Sequence, residues 1–168
     1  MKILFAASEV APFIKTGGLA DVAGSLPQAL AKEGHEVVVM LPLYEGIGEN
    51  WRSQMTFVKH FNVTLGWRQS YCGLFRLERE GVTFYFVDNE YYFKRGALYG
   101  HFDDGERYAY FCRAVLDMME QLDYYPDILH ANDWQSALSV VYLKTEYGYR
   151  KNEYAAIKTV FTIHNIEY

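Results

Sequence analysis

The first 42 residues place an apolar run, a helical pattern and a second apolar run in succession, and this order constrains the fold strongly. Residues 3–7 are a continuous apolar segment, and residues 35–42 contain a second one after His35 and Glu36, as in parallel strands that are covered on both faces. Between them, apolar residues recur at helical spacing at Leu19, Val22, Ala23, Leu26 and Leu30. The segment therefore predicts a βαβ unit with a right-handed crossover.

A Gly-Gly turn joins the first predicted strand, with its loop of residues 8–14, to the helix. Lys15 and Thr16 precede Gly17 and Gly18 directly. The free N–H groups and the positive end of a helix dipole attract anions at such a point, and Lys15 adds a mobile positive charge. The turn therefore predicts a site for a ligand that contains a diphosphate.

The helix after this turn carries a proline that conflicts with a regular helix. Pro27 lies inside the pattern and would cost about 3 kcal/mol in a helix interior. We expect a kink or a restart there, with Ser25 as a cap, and an end at Gly34.

The middle of the chain changes to a β pattern. Residues 55–65 and 69–79 alternate in part around Gly66, which predicts a half-exposed β-hairpin inserted into the α/β scheme. Residues 82–87 return to the central sheet, and a long polar and aromatic loop runs from Asp88 to about Asp103.

The last third alternates helices and strands again. Helices are predicted at residues 105–122 and 135–147, and strands at 126–130 and 158–163. The consistent solution is a single α/β domain over residues 1–168, with a Rossmann-like, doubly wound and mostly parallel sheet.

Composition excludes several classes of protein. The net charge of −5 argues against a nucleic-acid binder, and no apolar run approaches the length of a membrane span. The N-terminus runs into a strand without a cleavage site, which predicts a cytoplasmic location. Cys72 and Cys112 stand in apolar surroundings, so we expect reduced core thiols.

Polar residues gather where the predicted strands end, the edge at which ligands bind in such sheets. They are Glu9, Lys15, Gly17, Gly18, Asp88, Asn89, His130, Asn132, Asp133, Trp134, His164, Asn165 and Glu167. Their convergence predicts an active cleft.

Single members of this set also have structural explanations. His130 fits a satisfied histidine near the sheet edge, and Asp133 fits an N-cap for the next helix. Lys15 fits a solvated loop lysine, and the two glycines fit turn residues alone.

The sequence lacks the motifs of several other kinds of active site. A metal site from His130, Asp133 and His164 is an alternative, but the spacing matches no ligand motif. A serine-hydrolase elbow and a Gly-x-Gly-x-x-Gly dinucleotide fingerprint are absent. The 15 Tyr, 11 Phe and 3 Trp favour a well-filled core over a surface for stacking on sugars.

Three motifs carry a resemblance to a known family. Residues 1–13 with 15–22, then His130-Ala131-Asn132-Asp133-Trp134, then Phe161-Thr162-Ile163-His164-Asn165 resemble segments of bacterial glycogen synthases and plant starch synthases, in the same order. The resemblance implies the N-terminal domain of a GT-B fold. It also implies transfer of glucose from ADP-glucose to the 4-hydroxyl of an α-1,4-glucan, with retention and without a metal or other cofactor.

The resemblance also implies roles for individual residues. Lys15 would neutralise phosphate charge as ADP leaves, and Gly17 and Gly18 would let the backbone approach. His164 would stabilise positive charge at the anomeric centre, and Asp133 would lie in the sugar region.

Further substrate-binding residues are implied with less support from the motifs. Tyr99 is similar to a nucleotide-contacting tyrosine of the family. Glu9 and Asp21 are candidates for the wall of the cleft, and His130 and Asn165 are expected to bind substrate.

One departure from the family concerns its C-terminal domain, which supplies a pair of Glu residues eight positions apart and basic residues that grip ADP. No two Glu residues of this sequence have that spacing. We therefore expect an N-terminal domain alone, which folds but has little activity without its missing C-terminal partner domain. The alternatives are a non-catalytic module that binds glucan or nucleotide sugar, and a GT-B transferase with another donor.

Overall fold

The computed structural model describes residues 1–166, so Glu167, named above as a strand-end residue, lies outside the described part. The strands are β1 (Lys2–Ala6), β2 (Glu36–Pro42), β3 (Thr56–Leu65), β4 (Arg68–Arg79), β5 (Val82–Asp88), β6 (Ile128–Asn132) and β7 (Lys158–Thr162). The helices are α1 (Gly18–Lys32), α2 (Glu49–Arg52), α3 (Glu90–Phe93), α4 (Asp104–Gln121), α5 (Asp133–Thr145) and α6 (Asn152–Ala155), with a 3-10 turn at Tyr147–Tyr149.

All described strands join one seven-stranded sheet in the order β3-β4-β5-β2-β1-β6-β7. Five neighbouring strands, β5-β2-β1-β6-β7, run parallel, whereas the β3–β4 and β4–β5 pairs are antiparallel. The sheet confirms the predicted α/β class and the inserted hairpin, which extends the central sheet at one edge.

The chain winds outward from β1 in both directions. It passes from β1 to β2 on one side, and later from β5 to β6 on the other side of β1. Right-handed crossovers in opposite directions place α1 and α4 on opposite faces of the sheet. The strand order therefore reverses between β1 and β6, and this is the point where open α/β sheets bind ligands.

The centre of the sheet is buried from solvent. Leu4, Phe5 and Ala6 of β1 are fully buried, and β2 is buried along its length after Glu36. Most of the aromatic residues lie in this core or pack against it, including Phe84, Phe86 and Phe111. This confirms the packing interpretation of the aromatic content.

The expected restart of the first helix is wrong. Helix α1 runs without interruption through the buried Pro27. The Ser25 hydroxyl does not cap a new helix but donates to the Asp21 carbonyl, one turn earlier, at 2.8 Å. The predicted end is confirmed, since Gly34 follows the helix with φ of +90°.

Boundaries in the last third differ from the prediction by about two residues. Strand β6 begins at Ile128 rather than at Pro126, because proline has no N–H to donate to a neighbouring strand. Helix α5 begins at Asp133 and ends at Thr145. The predicted loop after β5 contains helix α3, whose first turn is capped by the Asn89 side chain.

None of the helices within residues 1–166 combines the length and the hydropathy that a membrane span requires.

Candidate active site

The carboxyl ends of β1 and β6 bring two groups of predicted residues to the same edge of the sheet. Ala6 and Ala131 are paired in register. The Asn132 side chain donates to the Ala6 carbonyl at 3.2 Å, which joins the two strand ends directly. One group belongs to the loop after β1, and the other belongs to the ends of β6 and β7.

The Lys15–Gly18 loop leads directly into α1. Gly17 is the N-cap in an extended conformation, with φ of −152° and ψ of −168°, and Gly18 is the first helical residue. Neither glycine needs a positive φ. A Cβ on Gly18 would meet no atom within 4 Å, so this position is open. The glycines therefore act by leaving room in front of the helix.

Glu9 occupies the inner side of this loop. Its side chain is buried, and its carboxylate accepts the N–H groups of Thr16 at 3.2 Å and Gly17 at 3.0 Å. It also accepts the hydroxyls of Thr16 and Tyr99. These bonds fill the acceptor positions of Glu9, which makes it part of the loop's framework.

Lys15 stands at the outer side of the loop and is paired with Asp21. The ammonium group lies 2.7 and 2.8 Å from the two carboxylate oxygens, and both side chains are more than half exposed. An exposed pair of this kind contributes about 0–1 kcal/mol. Lys15 can therefore exchange Asp21 for a more highly charged anion.

Asp133 is buried, opens α5 and has a left-handed backbone with φ of +57°. The expectation that it caps this helix is wrong, because Asn132 is the N-cap position and no side-chain cap bond forms. The Asp133 carboxylate instead accepts the N–H groups of His164 at 2.6 Å and Asn165 at 3.3 Å. Asp133 thus ties the end of β7 to the start of α5.

His164 is held by Asn132 and Asp133. Its Nε2 lies 2.9 Å from Asn132 Oδ1. The Asn132 amide nitrogen donates to the carbonyls of Ala6 and His130, so its oxygen must face the imidazole as an acceptor. This arrangement assigns the proton to Nε2 and leaves Nδ1 as the free ring nitrogen.

Asn165 contacts the same carboxylate through its side chain as well, with its amide nitrogen 3.4 Å from Asp133 Oδ2. The structure therefore brings Asp133, His164 and Asn165 together, as the sequence predicts.

His130 has the contacts of a satisfied structural histidine. Its ring is half-buried, packs edge-on against Phe5 with centroids 4.7 Å apart, and bonds Thr162 Oγ1 at 2.8 Å. Burial, and secondarily the nearby His164, lowers the pKa of His130 below its ordinary value. The geometry favours the structural explanation, and a contact with substrate stays a prediction.

Tyr99 connects a distant loop to Glu9. Its hydroxyl lies 2.7 Å from Ser8 Oγ and 3.1 Å from Glu9 Oε2. Burial raises the pKa of Tyr99 well above its ordinary value, so the phenol keeps its proton and donates. The ring packs near Tyr108, which in turn meets Trp134 edge-on.

Several residues that build the site were missed by the sequence analysis. Arg107 is fully buried in α4 and donates to the carbonyls of Tyr92 and Leu98, which shapes the segment that carries Tyr99. Ser8 was also missed, and its hydroxyl bonds the Tyr99 hydroxyl. Thr16, which lies in the predicted Lys15–Gly18 loop, donates to Glu9. The available signal for Arg107 was its helical spacing with the apolar Phe111, Ala114 and Met118, since a charge on such a face needs partners.

Asp88 and Asn89 do not join this cluster. Asn89 caps α3 and donates to the Tyr71 carbonyl at 2.8 Å, which is a structural role. Burial raises the pKa of Asp88, which lies beside Arg52 and Glu90 in a separate surface depression.

No metal site is formed by the His, Cys, Asp and Glu residues among positions 1–166. His130 Nε2, the Asp133 carboxylate and His164 Nε2 already have the hydrogen-bond partners described above. Cys72 and Cys112 are buried free thiols, as predicted, and burial raises the pKa of each to about 12.

Comparison with known proteins identifies related sequences over the whole chain. A family model described as the starch synthase catalytic domain matches residues 2–168. A glycogen synthase of Anoxybacillus flavithermus is 54% identical over 168 residues, which is 100% of this chain and 34% of that protein. A glycogen synthase of Exiguobacterium sibiricum is 56% identical over 171 residues, covering 100% of this chain and 35% of the relative.

A solved structure has the same fold. The catalytic domain of starch synthase IV from Arabidopsis thaliana, described as bound to ADP and acarbose, superposes with a TM-score of 0.90 at 29% identity. The match covers 99% of this chain and 34% of that one. The chain thus spans about a third of the length of the relatives it matches.

Proposed function

The chain belongs to the starch synthase catalytic domain family, and on that premise we propose that it is the N-terminal part of a retaining glucosyltransferase. The whole enzyme would transfer glucose from ADP-glucose to the non-reducing end of an α-1,4-glucan. The observation that carries the proposal is that Asn132, which holds His164, donates to the end of β1, from which the chain runs through the Lys15–Gly18 loop into α1 at the switch point of the sheet. A relative with the same fold is described as bound to ADP and acarbose, which supports binding of a nucleotide by the whole enzyme.

The proposed chemistry begins with the diphosphate of the donor. Negative charge grows on the leaving ADP as its bond to glucose breaks. Lys15 and the open N-terminus of α1 would meet that charge with an ammonium group and with N–H dipoles. These groups are present before the reaction begins, so the transition state needs little reorganisation to use them.

His164 is proposed to act at the transferred glucose. Asn132 fixes the imidazole, and Asp133 holds the backbone at the same residue. A fixed polar group beside the anomeric carbon would stabilise the positive charge that develops there. Asp133 would act by holding His164 and Asn165, and direct contact of Asp133 with sugar stays a prediction.

The rest of the enzyme is proposed to supply the second wall of the cleft. The relatives are about three times as long as this chain. We propose that residues 1–168 form an N-terminal domain and that a second domain closes over ADP and excludes water. A cytoplasmic location is part of this proposal and rests on the sequence alone.

The test is incorporation of labelled glucose into glycogen by the full-length protein, with ADP-, UDP- and GDP-glucose compared in parallel. We expect preference for ADP-glucose, and a loss of about 100-fold or more in kcat for Lys15→Ala and for His164→Ala. The 168-residue chain alone should be inactive, and measurable incorporation by it would contradict the two-domain proposal. Transfer from another donor would redirect the assignment within the GT-B class.

A non-catalytic binding module is not favoured, because relatives that match this whole chain are named glycogen synthases. Binding of maltooligosaccharide that is indifferent to Lys15 and His164, with no transfer by the full-length protein, would restore this alternative.

A further inference from the structure

Glu9 holds the loop that leads into α1 from its inner side. Its side chain is 2% exposed. One carboxylate oxygen accepts the Gly17 N–H at 3.0 Å, and the other accepts the Thr16 N–H at 3.2 Å and the Thr16 hydroxyl. Glu9 therefore provides the negative group that usually sits at a helix N-terminus, although it comes from a different part of the chain.

The charge of this carboxylate is compensated by dipoles. Lys15, the cation of the same loop, pairs with Asp21, and no ion pair to Glu9 forms within residues 1–166. Burying a carboxylate in this way is costly compared with capping the helix by a Ser or Asp at position 17. If Glu9 only stabilised the helix, a Ser or Asp at position 17 would do so at a lower cost. The absence of a side chain at Gly17 therefore points to a role beyond stability.

Capping from the inner side keeps the outer side of the helix N-terminus free. Within the described chain, the N–H groups of Gly18 and Leu19 have no hydrogen-bond partner. A Cβ on Gly18 would meet nothing within 4 Å. The N–H groups of Thr16 and Gly17, in contrast, are taken by Glu9. An incoming diphosphate would therefore meet Lys15, Gly18 and Leu19.

Glu9 also connects this loop to the segment that carries Tyr99. The Tyr99 hydroxyl donates to Glu9 Oε2 at 3.1 Å and lies 2.7 Å from Ser8 Oγ. The carboxylate is thus the common acceptor of two segments that border the proposed donor site. A shift of Glu9 would move both of them.

We propose that Glu9 is a positioning residue, which holds the loop so that Lys15 and the N–H groups of Gly18 and Leu19 meet the donor's diphosphate. The proposal rests on the proposed function and assigns Glu9 a different role from the substrate contact suggested by the sequence. Glu9 acts through Lys15 and the loop backbone, and it does not touch the donor.

The test is a double-mutant cycle in the full-length enzyme. Glu9→Gln keeps the size of the side chain but replaces one acceptor oxygen by an NH₂ group, which cannot accept from these donors. We expect kcat to fall by about 10- to 100-fold because the loop is misplaced. In a Lys15→Ala background, the same change should lower kcat by a smaller factor, because one of the groups that it positions is gone.

A second measurement does not depend on activity. In the 168-residue chain, Glu9→Gln should accelerate amide hydrogen exchange about tenfold at Thr16 or at Gly17, whichever loses its acceptor oxygen, the effect of losing one ordinary hydrogen bond. The amides of Val38 and Val39 in β2 should be unchanged. Glu33→Gln, an exposed change just after the other end of α1, is the matched control and should alter neither measurement.

Two results would overturn the proposal. Equal losses of kcat in both backgrounds would mean that Glu9 acts independently of Lys15. Unchanged exchange at Thr16 and Gly17 would mean that Glu9 does not hold the loop. If the unsubstituted full-length enzyme does not use ADP-glucose, the proposed function fails, and the exchange measurement alone then decides whether Glu9 holds the loop.

Discussion

Asp133 combines burial, a left-handed backbone and several hydrogen bonds at the candidate site. It is 1% exposed and left-handed, and it accepts two backbone N–H groups and a side-chain amide from residues 164 and 165. Asp tolerates a left-handed backbone better than most residues do. A strained residue that orders a neighbouring strand end is typical of a functional site.

We expect Asp133→Ala to destabilise the chain by about 1–3 kcal/mol, because buried N–H groups lose a charged acceptor and Ala disfavours this backbone. Urea denaturation measures the loss, and hydrogen exchange at the His164 amide should accelerate in parallel. Asp133→Asn keeps an acceptor oxygen and should retain most of the stability. A His164 amide that stays protected in Asp133→Ala would contradict this account.

A different result is expected at Gly18, because the backbone conformation there does not require glycine. Gly18→Ala should leave the free energy of unfolding unchanged or raise it by up to about 1 kcal/mol. In the full-length enzyme, however, the added methyl would shield the Gly18 and Leu19 N–H groups. We expect KM for ADP-glucose to rise about tenfold, as for a lost hydrogen bond to a charged group. An unchanged KM would place the diphosphate elsewhere.

At the scale of elements, an arginine–carboxylate cluster joins α4 to the end of α5. Arg113 of α4 donates two hydrogen bonds to Glu146, at 2.8 and 3.1 Å, and Arg150 donates a third at 2.5 Å. The Arg113 guanidinium holds the pKa of Glu146 below its ordinary value. The unfolded chain therefore binds this proton at a higher pH than the folded chain does.

The direction of this pKa shift determines how the stability of the chain depends on pH. The contribution of Glu146 is fully present above its ordinary pKa of 4.5 and is lost as the pH falls through its lower folded value. We expect Glu146→Gln to reduce the free energy of unfolding at pH 7 by at most about 1 kcal/mol, because Glu146 is 40% exposed. Denaturation at pH 7 and pH 3 should show that the difference disappears in acid. A difference that persists in acid would indicate packing as the cause.

At the scale of the whole molecule, the sheet has an apolar edge at β7. Val160 and Phe161 are each 44% exposed, and β7 forms the last strand of the described sheet. Exposed apolar edge strands pair with other chains. In the proposed whole enzyme, further chain would cover this edge.

The 168-residue chain should therefore self-associate when it is produced alone. Val160→Lys places a charge on the edge strand and should shift sedimentation toward the monomer at the same concentration. Glu33→Lys is the control, because Glu33 is exposed and lies far from β7 along the chain. Equal association of both variants would show that β7 is not the contact.

Local patterns predicted the elements and their class. The apolar runs at β1 and β2, the hairpin around Gly66 and the helix end at Gly34 all follow from side-chain periodicity and from glycine's positive φ. The continuous helix through Pro27 could not be predicted, because packing against the sheet offsets a lost backbone bond. The strand-end rule also predicted that polar residues after β1, β6 and β7 gather, since topology places them at one edge. It wrongly added Asp88 and Asn89, which lie apart from this cluster.

Tertiary structure decided what each gathered residue does. The sequence predicts Glu9 for the wall of the cleft, and only the fold shows that its carboxylate bonds Thr16 at the start of α1. Asp133 reads as a helix cap, yet its carboxylate turns toward His164. The sequence by itself determined the α/β sheet and the edge that carries the site, because these depend on periodicity and chain order. The direction of each polar side chain depends on partners about 30 or 90 residues away in the chain, which only the folded structure brings into contact.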